Sequence, residues 1–152
     1  MAQKKKLSFI PEGSSELQEK FINYIMLDGK KSTARKIWHD TLKAIAAKGN
    51  KNPEDIFEKA IENVKPTMEV RPKRIGGSVY QIPIEVKYGR QLMLSFRWII
   101  GSARDKKGSP MAARLAQELM DAANEQGTAV KKKEETHRMA AANKAFAHYA
   151  KF

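Results

Sequence analysis

The sequence predicts a mainly α-helical domain, a six-helix bundle with one projecting β-hairpin inserted between the third and fourth helices. Apolar residues recur over most of the chain at the 3.6-residue period of an amphipathic helix. Between residues 65 and 89 the period changes to alternation around two adjacent glycines, in a segment whose prolines argue against a helix. The length of 152 residues fits a single domain and is enough to bury a real core.

The first three helices are predicted from apolar stripes and from residues that start or stop a helix. The first helix begins at Glu16 and is broken at Gly29, and Ser32 is the expected N-cap of the second. Pro53 suits the first turn of the third helix. The three stripes comprise Leu17, Phe21, Tyr24 and Ile25, then Ala34, Ile37, Trp38, Thr41, Leu42, Ile45 and Ala46, then Ile56, Phe57, Ala60, Ile61 and Val64.

The segment "RPKRIGGSVYQIPIEV" predicts the hairpin. Alternating apolar residues follow its glycine pair, which is the period of a strand. Gly76 and Gly77 supply the positive φ that a tight primed turn requires. Pro72 and Pro83 cannot donate to a ladder, so both strands are expected to be edge strands. A two-stranded ribbon with two edges should project from the helices or be held by a partner.

Three further helices are predicted after the hairpin. The fourth resumes at about Arg90, and the fifth runs from Ser109-Pro110 to a stop at Gly127. In the fourth helix Trp98 is expected to pack in the core. The last helix, predicted over residues 129–149, carries only a thin apolar stripe and should be half-buried. That stripe comprises Met139, Ala142, Phe146 and Tyr149.

Positive charge dominates the composition and is unevenly distributed. The formal net charge is +12, from 29 Lys and Arg against 17 Asp and Glu. The third helix is acidic, whereas the hairpin, the last helix, the "DGKKSTARK" turn, the "RDKK" loop and the N-terminus are basic. Segregation of like charge costs self-repulsion, which a polyanion would relieve. We therefore expect a nucleic acid as partner, bound by a single domain 1–152 with a flexible basic arm (1–13), a hairpin arm (67–87) and a basic C-terminal helix (129–152).

Several other classes of function are disfavoured by the sequence. No apolar run approaches the roughly 18 residues that cross a bilayer, and the apolar part of the N-terminus is too short for a signal peptide. The chain has no cysteine, and its three histidines lack metal-ligand spacing. "DGKKST" lacks the first glycine of a P-loop. No catalytic constellation is identified, and we expect His137 and His148, in the basic last helix, to contact phosphate.

Tyr80 leaves two interpretations open. On a basic ribbon it could stack on a base or a ribose. It could equally pack against Ile82 or the root of the ribbon.

Long stretches of the chain resemble the bacterial or organellar form of the small-subunit ribosomal protein seven family. The resemblance is carried by "LDGKKSTA", "ENVKPTMEVRPKRIGGSVYQIPIEV", "RWII" and "LAQELMDAANEQGTAVKKKEETHRMAAANKAFAHY". It implies a six-helix fold with a hairpin arm and a structural, non-enzymatic protein without cofactor, metal or small-molecule substrate.

The resemblance also implies partners and a location. Such a protein binds the 3′ major domain of small-subunit rRNA, nucleates assembly of the head, and lies near the decoding region beside the exit-site tRNA and mRNA. Small-subunit protein eleven is an implied neighbour. The implied location is the head of the small subunit, in a cytoplasmic or an organellar ribosome, with no membrane partner.

The resemblance carries specific contacts onto this sequence. The implied rRNA contacts are Lys4, Lys5, Lys6, Lys30, Lys31, Arg35, Arg71, Lys73, Arg74, Arg104, Lys106, Lys107, Lys131, Lys132, Lys133 and Arg138. The implied tRNA-facing residues are Gly76, Gly77, Ser78, Tyr80 and Tyr149.

Two rival hypotheses remain at this point. The helix that follows "DGKKS" could act as a DNA-reading helix after a tight turn, in which case duplex DNA and rRNA would bind equally. An enzyme acting on RNA would require turnover by the purified protein, and we identify no residues for it.

Overall fold

The computed structural model describes residues 9–150, which form six α-helices, one antiparallel hairpin and a short 3₁₀ helix. The α-helices are α1 (Glu16–Ile25), α2 (Lys31–Ala47), α3 (Pro53–Val64), α4 (Tyr88–Asp105), α5 (Met111–Ala123) and α6 (Thr128–Ala142). The strands β1 (Met68–Ile75) and β2 (Ser78–Glu85) lie between α3 and α4. The 3₁₀ helix, Lys144–Tyr149, is the C-terminal 3₁₀ segment. The mainly helical class and the inserted hairpin are confirmed.

Four aromatic rings from four helices form the centre of the core. The Phe21 ring lies 5.1 Å from Trp38, 5.0 Å from Phe57 and 5.3 Å from Phe96, measured between ring centroids. All four are fully buried, and edge-on or tilted geometry adds to the stabilisation from burying their area. Trp98 packs against this core from a half-buried position, as predicted. The amphipathic stripes of α1 to α4 therefore converge on one centre.

The predicted start of α1 at Glu16 and the predicted Pro53 in the first turn of α3 are confirmed, but the predicted start of α2 is not. Ser15 caps α1, since its Oγ accepts the Gln18 N–H at 3.2 Å, and Pro53 occupies the first turn of α3. The predicted N-cap at Ser32 is wrong, because α2 already begins at Lys31. The turn before it closes through a bond from the Lys30 N–H to the Leu27 carbonyl, so the chain is helical before it reaches the serine.

The fifth helix is shorter than predicted at both ends. It begins at Met111, with Pro110 at the N-cap position, and ends at Ala123 rather than continuing to Gly127. A Schellman motif ends it: Glu125 has a φ of 57°, and the Gln126 N–H donates to the Asp121 carbonyl at 2.8 Å. The sequence did not predict that α5 ends here, because the left-handed position is occupied by a glutamate rather than by the usual glycine.

The last helix, predicted over residues 129–149, is shorter than predicted, because α6 ends at Ala142 and the C-terminal 3₁₀ segment follows it. Asn143 ends it by directing both its N–H and its side-chain amide to the Met139 carbonyl, at 3.1 and 2.8 Å. The predicted stripe is consequently broken, and Met139 is exposed. The helix buries Ala129, Val130 and Ala140 instead, which agrees with the predicted half-burial. Residues 151–152 lie outside the described range.

The hairpin is packed at its root and exposed at its tip. Ile82 and Val86 are buried, whereas the side chains next to the turn, such as Val79, are exposed. Pro72 pairs with Gln81 and Pro83 with Val70 in a sheet of only two strands, so each proline sits on an edge as predicted. The arm therefore projects over only part of its length.

Candidate nucleic-acid interface

The basic strand of the hairpin presents its cations on two faces. Residues paired across an antiparallel ladder point to the same side, and successive residues alternate. Arg71 and Lys73 share the face of their partners Ile82 and Tyr80, whereas Arg74 lies on the opposite face. The three cations that the sequence places within four residues therefore cannot all contact one flat surface.

The tip is a two-residue turn, as the glycine pair predicted. Gly76 and Gly77 have φ values of 56° and 86°, and Ile75 pairs with Ser78 across the turn. Two successive positive φ values are the signature of a type I′ turn. The turn residues and Ser78 are exposed, so the tip offers bare backbone to a partner.

The C-terminal 3₁₀ segment packs on the hairpin and decides how Tyr80 is used. The Tyr80 ring lies 5.0 Å from the ring of Phe146 and stacks at 6.3 Å on that of Tyr149. Lys73 Nζ donates to the Tyr149 carbonyl at 3.1 Å. Tyr80 therefore packs within the protein, although its partners are in this segment rather than Ile82 or the hairpin root. The predicted tRNA contacts of Tyr80 and Tyr149 stay predictions. Such contacts would have to use the parts of the two rings that are not covered by neighbouring rings.

The two most basic segments run side by side. Near the hairpin root, Lys133 Nζ on α6 donates to the Asn63 carbonyl at 2.9 Å. One turn later, His137 Nε2 accepts the Thr67 N–H at 3.0 Å. The bond from Lys73 to the 3₁₀ segment continues the series toward the tip. The chain after Lys133 thus follows β1 from root to midpoint, which brings the cations of both segments onto neighbouring surfaces.

His137 is a packed structural histidine, which the sequence interpretation as a phosphate contact did not foresee. The bond from the Thr67 N–H requires Nε2 to be unprotonated. Burial and, secondarily, the positive charge of Lys133 lower the pKa of His137 below its usual 6.5. The neutral form is thereby maintained at the hairpin root.

Acidification is expected to weaken this junction. Because the folded pKa of His137 is depressed, its contribution to stability is fully present above pH 6.5 and is lost as the pH falls through the folded pKa. Urea unfolding across this range should show the wild type losing more stability than His137→Gln, whose amide oxygen can still accept the Thr67 N–H. His39→Gln, a change at an exposed histidine on α2, is the matched control. Equal pH profiles for the wild type and His137→Gln would contradict the assignment.

A buried carboxylate in α1 holds two of the predicted rRNA contacts. Glu19 is fully buried, and Arg35 binds both its oxygens, with Nη1 at 2.7 Å and Nη2 at 3.0 Å. Ser14 Oγ donates to it at 2.9 Å, and Lys31 Nζ lies 3.8 Å away. The bidentate bond from Arg35, opposed by burial, lowers the pKa of Glu19. Arg35 and Lys31 thus tie α2 to α1.

A second buried carboxylate, in α5, holds the basic α4–α5 loop and the start of α6. Glu118 is fully buried, and its Oε2 lies 2.8 Å from Lys106 Nζ. Its Oε1 accepts the Ala129 N–H at 2.9 Å, so it caps the N-terminus of α6 from another helix. One side chain therefore fixes the position of two predicted RNA-binding elements.

The hairpin root contains a third ion-pair centre. Glu69 is buried, and both its oxygens accept bonds from Arg90 Nε, at 2.8 and 3.0 Å. Arg71 Nε lies 3.5 Å from the same carboxylate. The predicted contact Arg104 is also engaged, since its Nη2 donates to the Ile25 carbonyl at the C-terminus of α1.

The structure divides the predicted rRNA contacts into two groups. Side chains that bond within the protein are those of Lys31, Arg35, Lys73, Arg104, Lys106 and Lys133. Arg71 is intermediate, because it forms an ion pair with Glu69 but its side chain is 48% exposed. Side chains that extend from the described chain without such a bond are those of Lys30, Arg74, Lys107, Lys131, Lys132 and Arg138. Lys4, Lys5 and Lys6 lie outside the described residues.

Some relevant residues were missed by the sequence reasoning. Lys36 and Lys43 line a shallow groove on the exposed face of α2 together with Arg35 and His39. The helical period places both lysines outside the apolar stripe of α2, but the predicted rRNA contacts did not include them. Glu118 could also have been found, because a carboxylate in the middle of an apolar stripe requires a buried partner.

Two other kinds of site are not found in the described range. Within residues 9–150 no group of three or more His, Cys, Asp or Glu side chains is arranged to hold a metal ion. No helix in that part of the chain combines the length and apolarity needed to cross a membrane.

A family model and the curated relatives that resemble this chain indicate the same family. The model of the family described as ribosomal protein S7p/S5e matches residues 1–144. The chain is similar to small ribosomal subunit protein uS7 of Thermotoga neapolitana and of Thermotoga maritima, each 51% identical over 148 residues, which cover 97% of this chain and 96% of the relative. It is 54% identical over 133 residues to the uS7 protein of Thermotoga petrophila, which covers 88% of this chain and 86% of that protein.

Proposed function

Because the chain belongs to the ribosomal protein S7p/S5e family, we propose that it binds the 3′ major domain of 16S-type rRNA directly and nucleates assembly of the subunit head. Members of this family are structural proteins of the small ribosomal subunit and are not enzymes. The chain is accordingly a ribosomal component that binds rRNA and acts in translation together with other ribosomal proteins.

The observation that carries the proposal is the side-by-side course of β1 and α6. Their unpaired cations, Arg74 on β1 and Lys131, Lys132 and Arg138 on α6, project from neighbouring elements rather than from scattered sites. Cations in such an arrangement can follow phosphates on both sides of an RNA groove. Folded RNA is recognised mostly by shape and by phosphate and 2′-hydroxyl contacts, which suits lysine and arginine on a rigid scaffold.

The proposal extends to the exit-site tRNA and the mRNA near the decoding region. The exposed type I′ turn at Gly76, Gly77 and Ser78 supports a tRNA contact, because it is narrow and its backbone is uncovered. The aromatic cluster of Tyr80 and Tyr149 sits behind this tip. Small-subunit protein eleven is the proposed protein neighbour, and the subunit head is the proposed location.

The hairpin contribution can be measured by its effect on salt dependence. Arg71→Ala/Arg74→Ala should weaken binding to a 3′-domain rRNA transcript and reduce the slope of log K against log salt by about one unit for each lost phosphate contact. Filter binding across a salt series gives both quantities. Lys51→Ala/Lys59→Ala removes the same charge from an exposed loop position and from the acidic α3, and it should leave the slope nearly unchanged.

Two outcomes would contradict the proposal. A wild-type slope near zero would mean that phosphate contacts do not drive binding. An equal loss of slope in both double variants would mean that only net charge matters. Duplex DNA of similar length serves as the competitor, and equal affinity for it would favour the DNA-reading hypothesis instead.

A further inference from the structure

An exposed tyrosine at the start of α4 stands among cations at the hairpin root. Tyr88 is 61% exposed, although it is a large aromatic residue next to the end of β2. Lys65 Nζ lies 4.8 Å from the centroid of its ring, in cation–π geometry. Since Lys65 covers one face of the ring, the exposed area belongs to the opposite face and the edge.

The cation on one face of this ring favours one orientation of it. The Lys65 side chain is only 13% exposed, and its Nζ is 2.6 Å from Glu62 Oε2. The backbone on both sides is also held, because the Val86 N–H donates to the Thr67 carbonyl at 3.0 Å and the Arg90 N–H donates to the Lys87 carbonyl at 2.9 Å. A ring held in this way loses little conformational entropy when a flat partner stacks on it.

One cation beside Tyr88, Lys87, is available to a polyanion. Lys87 is exposed beside it and makes no ion pair within the described residues, and the first turn of α4 has no acidic residue, whereas Lys65 is paired with Glu62 and Arg90 with Glu69. Gly89 leaves the backbone beside the ring uncovered. An added Cβ at this position would meet no atom within 4 Å, and the φ of Gly89 is not left-handed. Neither packing nor backbone geometry requires a glycine there, and the bare backbone gives a nucleotide room to approach.

We infer that Tyr88 is a stacking platform for an unpaired rRNA base, with Lys65 behind the ring and Lys87 beside it. Single exposed apolar side chains are common and need no explanation. Tyr88 differs because its ring is oriented by a cation, lies beside the exposed Lys87, and belongs to a protein whose partner is RNA. Sequence-specific RNA recognition uses such surfaces, since splayed bases stack on aromatic side chains. This inference rests on the proposed rRNA binding and adds a base contact to a surface otherwise described by phosphate contacts.

The test compares substitutions at Tyr88 by their effect on affinity and on salt dependence separately. Tyr88→Leu keeps an apolar side chain without a π face, and it should lower the affinity for the 3′-domain rRNA transcript about 5-fold to 100-fold. The slope of log K against log salt should not change, because no phosphate contact is lost. Tyr88→Phe should bind as the wild type does.

A matched control and a direct readout complete the experiment. Leu27→Ala truncates an apolar side chain of almost equal exposure, 62%, and should leave affinity unchanged. Ultraviolet crosslinking of the wild-type complex should yield a nucleotide adduct on Tyr88, located by mass spectrometry. Thermal unfolding of each variant verifies that the fold is intact.

The outcomes separate this inference from the proposed function. Wild-type affinity in Tyr88→Leu, with a steep wild-type salt slope, would overturn the stacking site and leave the proposed rRNA binding in place. A flat wild-type slope would overturn the proposed function itself. A loss of affinity in Tyr88→Leu together with a shallower slope would also count against stacking, since it would indicate a lost phosphate contact.

Discussion

Replacement of Glu19 by alanine is expected to lower the free energy of unfolding by about 2 to 4 kcal/mol. The carboxylate is fully buried and receives two bonds from Arg35 and one from Ser14. Its removal leaves the Arg35 guanidinium beside a cavity without a counter-ion. Because the Arg35 side chain is 30% exposed, it can turn partly to water, which keeps the loss below the largest values for broken buried pairs. Chemical denaturation at neutral pH measures the change.

Two comparisons test the mechanism of this loss. Glu19→Gln keeps the shape but not the charge, so its loss should be intermediate, whereas Glu58→Ala, at an exposed position on α3, should change stability by less than about 0.5 kcal/mol. The bond from Arg35 depresses the folded pKa of Glu19, so the stabilisation is present above about pH 4.5 and is lost as the pH falls through the folded pKa. The difference in free energy of unfolding between the wild type and Glu19→Gln should therefore become smaller in acid. A difference in free energy of unfolding that does not depend on pH would contradict stabilisation by the ion pair between Arg35 and Glu19.

The parts of the fold that could be predicted depend on local sequence. The starts of α1 and α3 follow from Ser15 and Pro53, and the hairpin turn follows from Gly76-Gly77, because each signal acts within a few residues. The end of α5 was missed since Glu125 adopts a left-handed φ that usually signals glycine.

The parts of the candidate interface that escaped prediction depend on contacts distant in sequence. Nothing near Arg35 indicates that Glu19 will bind it, and nothing near Tyr80 indicates that the C-terminal 3₁₀ segment will cover it. Positive charge in the sequence therefore overstated the surface that is available to RNA. Carboxylates hold Arg35 and Lys106, and backbone carbonyls accept bonds from Arg104 and Lys133. Their expected contribution to RNA binding is to fix the positions of neighbouring cations such as Lys107 and Lys132.

Gly127→Ala is expected to destabilise the protein by about 2 to 4 kcal/mol. Gly127 precedes α6 with a φ of 91° and a ψ of 175°, a backbone region that is essentially restricted to glycine. An added Cβ would also meet Glu118 Oε1 at 3.0 Å and the Asp121 Cβ at 3.1 Å. Glu118 cannot move away freely, because its buried Oε1 caps α6 through the Ala129 N–H. Backbone strain at residue 127 and the weakened cap of α6 therefore both lower the stability of the Gly127→Ala variant.

Gly101→Ala is the matched control, because Gly101 lies within α4 with open space around an added Cβ. Alanine there should stabilise the protein by up to about 1 kcal/mol, the usual difference in helix propensity. The two substitutions add the same methyl group, so opposite signs in chemical denaturation would separate backbone strain from the effect of added volume. Equal stability of Gly127→Ala and the wild type would mean that the loop relaxes without cost. It would also mean that Glu118 can give up its bond from the Ala129 N–H without a measurable loss of stability.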